Sequence, residues 1–174
     1  MGMEQKGKII ISEEEIQGKV RELAGQISKD YEGLNPIIIT VLRGAVYFMV
    51  DLTRYLTIPH RIDFLAISSY GPAAQTGVVR ITKDLDLDIH DEHVLILEDI
   101  VDTGLTLHYL LRILKERGPA SIKICTFLDR AAQRIADLHI DYRGFEVGEA
   151  FVVGYGLDRD EKFRNLQYIM AVEE

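Results

Sequence analysis

Hydrophobic and polar positions change their period several times along the chain. Three apolar runs, residues 36–42, 94–97 and 122–128, have the length and β-branched content of strands that are buried on both faces, as in a parallel sheet covered by helices. Residues 61–67 carry apolar side chains at alternate positions and predict a further strand. Shorter strands are expected at residues 9–11, 78–82, 142–147 and 168–172.

Apolar residues at helical spacing separate these runs. Ser12 followed by Glu15 is a capping-box signature, which opens a helix whose apolar face ends at Tyr31. Further helices are predicted from residue 45 to about residue 56, across the leucines between 107 and 114, and, as a short helix, over residues 131–138.

This order of elements predicts an α/β fold, because strands and helices alternate in the middle of the chain while the tail is mostly strand. We expect a mostly parallel central sheet flanked by helices, together with a small β-rich hood. The 174 residues are the size of one domain, residues 1–174, with the hood formed mainly by residues 130–174 and the N-terminal residues.

Composition narrows the possible functions. The net charge of -8 argues against non-specific binding to nucleic acid or to a membrane surface, because either would need a basic face. No apolar stretch has the length of a membrane span, and the N-terminus lacks an apolar signal core. The single cysteine, Cys125, cannot form an internal disulfide. We therefore expect a cytoplasmic protein that binds neither nucleic acid nor a membrane.

The stretch from residue 94 to residue 106 combines two kinds of chemistry. Its apolar strand is predicted to end at Glu98 and Asp99, and two carboxylates at about 4 Å repel each other by about 4 kcal/mol, so that a cation or a hydroxyl-rich ligand is needed to hold them. Next come a short Gly-containing turn and a predicted helix, an arrangement that points free backbone N–H groups towards a phosphate. The alternative is an ordinary connection in which Asp102 or Thr103 caps the helix and the acids are solvated.

Charged residues also follow two other predicted strands. Arg43 follows residues 36–42, and Asp129 and Arg130 end the run 122–128. Ligands of parallel α/β sheets bind at such junctions, although Arg43 alone is equally typical of a surface arginine. Residues 68–77 have the small, turn-forming composition of a lid or binding loop, or of a loop without function. An unrelated phosphate-binding fold is disfavoured, because neither G-x-x-x-x-G-K-[ST] nor G-x-G-x-x-G occurs.

The stretch 94–106 resembles the phosphoribosyl-pyrophosphate signature of the type I phosphoribosyltransferases. Residues 42–44, 68–71, 151–158 and 163–166 resemble the hypoxanthine and hypoxanthine-guanine members of that family, in the family order. The resemblance implies purine salvage, in which a 5-phosphoribosyl group passes from phosphoribosyl pyrophosphate to N9 of hypoxanthine or guanine with Mg²⁺ as cofactor. It also implies a homodimer or homotetramer. A xanthine-preferring sister enzyme and a regulatory relative that binds nucleic acid remain alternatives.

The resemblance also assigns roles to residues around the sugar. Glu98 and Asp99 would hold the ribose hydroxyls, directly or through magnesium, and Asp102 would be the general base that accepts the purine ring proton. Backbone N–H groups and hydroxyls of one loop would bind the 5'-phosphate. The residues of this loop are Asp102, Thr103, Gly104, Leu105 and Thr106.

Pyrophosphate and purine are assigned in the same way. The pyrophosphate residues are Leu42, Arg43, Gly44 and Arg164, with Ser69 and Tyr70 closing over them as a lid.

Four residues are implied for the base. Phe151 would stack on the purine, the Val152 backbone would read its edge, and Asp158 would lie near a second magnesium and the base 2-position. Arg130 stands where relatives usually carry the lysine that donates to the 6-oxo group, which leaves the base preference open. A pair between Asp129 and Arg130 would fix this arginine in place.

Overall fold

A six-stranded, mostly parallel sheet forms the centre of the protein, whose structure is a computed structural model that describes residues 7–68 and 80–172. Its strands are β2 (Ile37–Leu42), β3 (Arg61–Ser68), β4 (Arg80–Lys83), β5 (His93–Val101), β6 (Ser121–Asp129) and β7 (Tyr142–Glu146). They lie in the order β4-β3-β2-β5-β6-β7, and every neighbouring pair is parallel except the antiparallel β3 and β4. The predicted α/β fold is confirmed.

Helices cover both faces of this sheet. They are α1 (Glu13–Asp30), α2 (Ala45–Tyr55) and α3 (Leu105–Glu116). Helices α1 and α2 pack on the face that includes Ile38 and Leu95, whereas α3 packs on the face that includes Ile37 and Val94, because successive strand residues point to opposite sides. In the described part of the chain, no helix is long and apolar enough to cross a membrane.

The predicted capping box at the start of α1 is confirmed. The Ser12 backbone N–H donates to the Glu15 carboxylate at 2.8 Å, and the Glu15 N–H donates to the Ser12 hydroxyl at 3.2 Å. Two of the N–H groups at the helix start are satisfied in this way, which fixes where the helix begins.

A small antiparallel sheet lies apart from the central one. Its strands are β1 (Gly7–Ile11), β8 (Val152–Val153) and β9 (Ile169–Val172), in the order β1-β9-β8. The strand β7, although it belongs to the part of the chain expected in the hood, pairs with β6 in the central sheet.

Two predicted boundaries were wrong. The strand predicted over residues 94–97 continues to Val101, because its pairing with β6 extends past the acid pair. The helix predicted over residues 131–138 is a single 3₁₀ turn, Ala131–Gln133. The Arg134 N–H still donates to the Ala131 carbonyl, but the amides of Ile135 and Ala136 donate to the Thr103 carbonyl instead of continuing a helix.

The strand order indicates that ligands bind at the carboxyl ends of the central strands β2 and β5. Successive connections lead from β2 outwards to β3 and β4, and from β5 outwards to β6 and β7. The crevice between such diverging halves, outside the carboxyl ends of the strands, is where open α/β sheets bind their ligands.

Candidate active site

A pocket of ≈ 280 Å³ lies at the carboxyl ends of β2 and β5. It is lined by Val41, Leu42, Ile67, Glu98, Ile100, Val101, Asp102, Thr103, Gly104, Thr106 and Leu107. Glu98 and the loop before α3 therefore line one cavity.

Of the acid pair, Glu98 is buried and Asp99 is half-buried. Glu98 is only 9% exposed, and burial, together with the neighbouring Asp99 charge, raises the pKa of Glu98 well above its usual range. Burial also raises the pKa of Asp99, although the Ile100 N–H, which donates to its carboxylate at 2.8 Å, acts in the opposite direction. Neither carboxylate forms an ion pair with any of the described residues.

These carboxylates fit a hard divalent cation. Two neighbouring carboxylates that lack an ion-pair partner are stabilised by a cation. Among residues 7–68 and 80–172, no group of three His, Cys, Asp or Glu side chains is arranged to hold a metal. A magnesium ion at Glu98 and Asp99 would therefore complete its shell with water and substrate oxygens, as is usual for this ion.

Gly44 brings the loop after β2 against the acid pair. A Cβ atom at this position would lie 1.8 Å from the Asp99 Oδ2 atom and 3.0 Å from the Gly156 carbonyl oxygen. The peptide between Leu42 and Arg43 is cis. Only glycine allows the carboxylate, the loop and the turn at Gly156 to approach this closely.

The loop between β5 and α3 presents free amides. Gly104 adopts the left-handed conformation, with φ 77°, and forms the helix cap, so that neither Asp102 nor Thr103 has the capping role of the alternative interpretation. The Leu105 N–H donates weakly to the Thr103 hydroxyl, at 3.4 Å. The amides of Thr103, Gly104 and Thr106 have no hydrogen-bond partner among the described residues. This arrangement can bind an anion.

Asp102 stands beside that loop with its carboxylate 45% exposed. The Arg130 Nη1 atom lies 3.4 Å from Asp102 Oδ2, and the side-chain amide of Gln133 faces the same carboxylate. Asp102 is therefore accessible to a ligand while two neighbouring donors orient it.

Arg130 has other partners than the predicted Asp129. Its side chain is 13% exposed, and its Nη2 atom donates to the Ala150 carbonyl at 2.7 Å. The expected pair with Asp129 is wrong, because that fully buried carboxylate pairs with Arg134 and with Arg143, the latter at 2.6 Å.

The arginines assigned to pyrophosphate form ion pairs within the chain. The Arg43 Nη1 atom lies 2.9 Å from the Glu161 carboxylate. The Arg164 Nη2 atom lies 2.8 Å from the Asp158 carboxylate and 3.3 Å from that of Glu161, while its Nη1 atom donates to the Gly156 carbonyl at 2.8 Å. Glu161 thus links the two arginines.

Of the remaining predicted residues, Phe151 is 47% exposed, with the Arg159 guanidinium 6.0 Å from its ring centroid. It is not a core aromatic and is free to stack on a ligand. Val152 is buried in β8. The lid residues Ser69 and Tyr70 lie outside the described residues.

Sequence reasoning missed Gln133, Arg134 and Glu161. The run of charges from residue 158 to residue 162 was a signal for Glu161. No sequence pattern indicated Gln133 or Arg134, because their contacts depend on the non-helical path of the chain around the 3₁₀ turn.

The chain is similar in sequence to known proteins. Residues 9–160 match the family model of the phosphoribosyl transferase domain. A hypoxanthine-guanine phosphoribosyltransferase of Bacillus subtilis is 48% identical over 163 residues, which are 93% of this chain and 91% of the relative. Another, from Mycobacterium tuberculosis, is 47% identical over 172 residues, with 95% and 85% covered.

A solved structure of a protein with the same name as these two relatives is also similar to this chain. The crystal structure of a hypoxanthine-guanine phosphoribosyltransferase from Bacillus anthracis, with a HEPES molecule in the active site, is 44% identical and has a TM-score of 0.95. The match covers 98% of this chain and 100% of that one. The chain therefore belongs to the type I phosphoribosyltransferase family, in which it is similar to the hypoxanthine-guanine enzymes.

Proposed function

We propose that this protein transfers the 5-phosphoribosyl group of phosphoribosyl pyrophosphate to N9 of hypoxanthine and of guanine, giving IMP or GMP and pyrophosphate in purine salvage. The observation that carries this function is one pocket lined by Glu98 of the acid pair and by a loop with free amides, in a chain 48% identical to a relative named for this activity. One substrate, phosphoribosyl pyrophosphate, carries both a phosphate and a diol.

The sugar end would bind to main-chain groups and acids. The amides of Thr103, Gly104 and Thr106 would donate to the 5'-phosphate, and the start of α3 favours an anion there. Leu105 contributes its backbone alone. Glu98 and Asp99 would hold the ribose hydroxyls, directly or through Mg²⁺, which when bound neutralises charge on the acids and on the pyrophosphate.

Asp102 would act as the general base. It is exposed beside the loop and accepts the purine ring proton as N9 attacks, a contribution typically worth about 10²- to 10⁴-fold in rate. The flanking Arg130 and Gln133 keep its carboxylate oriented.

Charge on the departing pyrophosphate would be stabilised by Arg43, Arg164 and the backbone of Leu42 and Gly44. Both guanidinium groups are presently paired with Glu161 and must exchange that partner for the substrate. We propose further that Ser69 and Tyr70 close over the pyrophosphate and exclude water, which protects the sugar cation from hydrolysis.

The purine would stack on the half-exposed Phe151 ring. Arg130 would donate to the 6-oxo group, and the Val152 backbone would read the base edge. Asp158, which pairs with Arg164, lies within electrostatic range of Asp99 and is the candidate for a second magnesium. Adenine offers no acceptor at its 6-position, so that an arginine there would reject it.

Assembly is a separate proposal. We propose a homodimer or homotetramer, in line with several large exposed apolar side chains at the surface; these include Tyr47, Tyr55, Ile62 and Ile135. Aromatic side chains such as those of Tyr47 and Tyr55 are enriched in protein interfaces. Light scattering coupled to gel filtration would give the mass.

The buried free thiol of Cys125 supports a reducing compartment, which we propose is the cytoplasm.

The activity is tested by one assay. The purified protein is incubated with phosphoribosyl pyrophosphate, Mg²⁺ and, separately, hypoxanthine, guanine, xanthine or adenine, and nucleotide formation is followed. We expect product with hypoxanthine and guanine and none with adenine. A preference for xanthine would make this a sister enzyme, and no product with any 6-oxopurine would refute the proposed function.

A further inference from the structure

One segment, residues 130–136, binds three successive carbonyl groups, at the last residue of β5 and the first two residues of the proposed 5'-phosphate loop, residues 102–106. The pairs are Arg130 N to Val101 O at 2.9 Å, Arg134 Nε to Asp102 O at 3.0 Å, Ile135 N to Thr103 O at 2.9 Å and Ala136 N to Thr103 O at 3.0 Å. A planar trans peptide points its C=O and the following N–H in opposite directions. Holding the carbonyls on this side therefore directs the amides of Asp102, Thr103 and Gly104 to the other side.

Only one of these three carbonyls depends on a side chain. The Asp102 carbonyl accepts from Arg134, and the same peptide carries the Thr103 N–H, which has no partner among the described residues. The stem of Arg134 also packs against Gly104, because a Cβ atom on that glycine would lie 2.8 Å from the Arg134 Cδ atom. The side chain thus touches the loop twice.

Arg134 is itself anchored. Its Nη2 atom pairs with the carboxylate of Asp129, which is fully buried and pairs also with Arg143. The Arg134 side chain is 15% exposed. A guanidinium with one nitrogen on a buried carboxylate and another on a carbonyl has little freedom to turn, because its donors are fixed in one plane.

We propose that Arg134 is a positioning residue for the 5'-phosphate loop. It transmits the rigid placement of the buried Asp129 to the peptide between Asp102 and Thr103, so that the Thr103 N–H is already directed at the phosphate before substrate binds. This inference rests on the proposed function, since it assumes that the loop binds the 5'-phosphate.

The test compares a ligand with a 5'-phosphate to one without it. IMP and inosine are titrated by calorimetry into the wild type, Arg134→Lys and Arg134→Gln. Lysine keeps the charge and can pair with Asp129, but its single ammonium cannot reach both of the arginine's partners in the same planar geometry. We expect the affinity for IMP to fall by about tenfold in both variants, as for the loss of one charged hydrogen bond, while inosine affinity is unchanged.

Arg143→Lys is the matched control. Arg143 shares Asp129 with Arg134 but has no hydrogen bond to the loop, so that its replacement perturbs the buried carboxylate alone. We expect its ratio of IMP to inosine affinity to equal that of the wild type. Melting temperatures of all variants show which are folded, and Arg134→Lys serves if Arg134→Gln is not.

Two results would overturn the inference. In the first, the Arg134 variants bind IMP and inosine with the same ratio of affinities as the wild type. In the second, this ratio falls as much in Arg143→Lys as in the Arg134 variants, which would indicate a general effect through Asp129. A different result would remove the proposed function as well: a wild type that binds IMP no more tightly than inosine.

Discussion

The two ends of the site are built in different ways. The loop proposed to bind the 5'-phosphate offers backbone amides, and the carbonyls of the same peptides are already bound by residues 130–136. The proposed pyrophosphate end offers the side chains of Arg43 and Arg164, which are paired with Glu161. One end is preorganised by the fold, whereas the other must break contacts within the chain before it can bind.

This difference indicates how binding energy is distributed. Groups that are already placed bind without the cost of being ordered, while paired side chains give up one partner for another. The phosphate loop should therefore serve as the anchor of the substrate. At the proposed pyrophosphate end, charge would increase as the bond breaks, and we expect the ion pairs of this part of the site to change during the reaction.

Asp102→Asn should have the largest effect on turnover. The change removes the proposed proton acceptor and tests whether the loop still binds IMP without it. The carbonyls of the loop are held by residues 130–136 without the Asp102 carboxylate, so we expect IMP affinity to change little while turnover falls by about 10²-fold or more. Steady-state kinetics and IMP titration measure both. Asp137→Asn, an exposed acid nearby, is the control and should keep wild-type turnover. Unchanged turnover in Asp102→Asn would exclude this residue as the base.

Gly44→Ala tests the contact that joins the two ends. The added Cβ would meet the Asp99 carboxylate at 1.8 Å and the Gly156 carbonyl at 3.0 Å, so that the loop after β2 must move. Such overpacking typically costs about 1–3 kcal/mol, and we expect a lower free energy of unfolding together with a raised KM for phosphoribosyl pyrophosphate.

Gly25→Ala is the control for Gly44→Ala in urea unfolding. This glycine lies in α1 with nothing within 4 Å of an added Cβ, and the change should stabilise the protein by about 0.5–1 kcal/mol. A Gly44→Ala variant with wild-type stability and KM would show that the loop after β2 is more adaptable than its contacts indicate.

Much of this architecture was predictable from the sequence. The buried runs and capping box are local patterns, and Glu98, Asp99 and the Gly104 loop form one continuous motif. The end of β5 was missed, because pairing with β6 continues through residues whose composition suggests a loop. Pairing of Asp129 with Arg134 depends on a turn that tertiary hydrogen bonds impose, and no periodicity encodes it.

Glu98→Gln tests the cost of the acid pair between the two ends. Because the folded pKa of Glu98 is raised, the folded protein binds its proton more tightly than the unfolded chain, and wild-type stability falls as the pH rises from the usual pKa through the raised one. We expect the variant, without ligand and with EDTA, to have the higher melting temperature at pH 8.

The advantage of Glu98→Gln should shrink as the pH falls towards 4.5, where the wild-type carboxyl is protonated. Melting curves at several pH values measure this difference. A gap that stays constant with pH would contradict a titration of Glu98 and indicate a packing effect instead. Mg²⁺ should raise the melting temperature of the wild type more than that of the variant, because the variant lacks one carboxylate for the ion.

The smallest effect is expected for Glu161→Gln, which bears on the pyrophosphate end alone. The change removes the carboxylate that pairs with Arg43 at 2.9 Å and with Arg164 at 3.3 Å. Exposed ion pairs contribute little to folding, so that the melting temperature should hardly change. Both guanidinium groups would then be free for pyrophosphate, and we expect its inhibition constant to fall by roughly threefold, equivalent to about 0.6 kcal/mol.

The control for Glu161→Gln must remove the same charge without freeing an arginine. Asp160 is the neighbouring exposed acid, and its positive φ of 52° suits asparagine, so that Asp160→Asn changes only the local field. Equal tightening in both variants would mean that long-range charge sets pyrophosphate affinity. If pyrophosphate binds more tightly to Glu161→Gln alone, and the gain is smaller at high salt, this end of the site releases its own ion pairs in order to bind pyrophosphate.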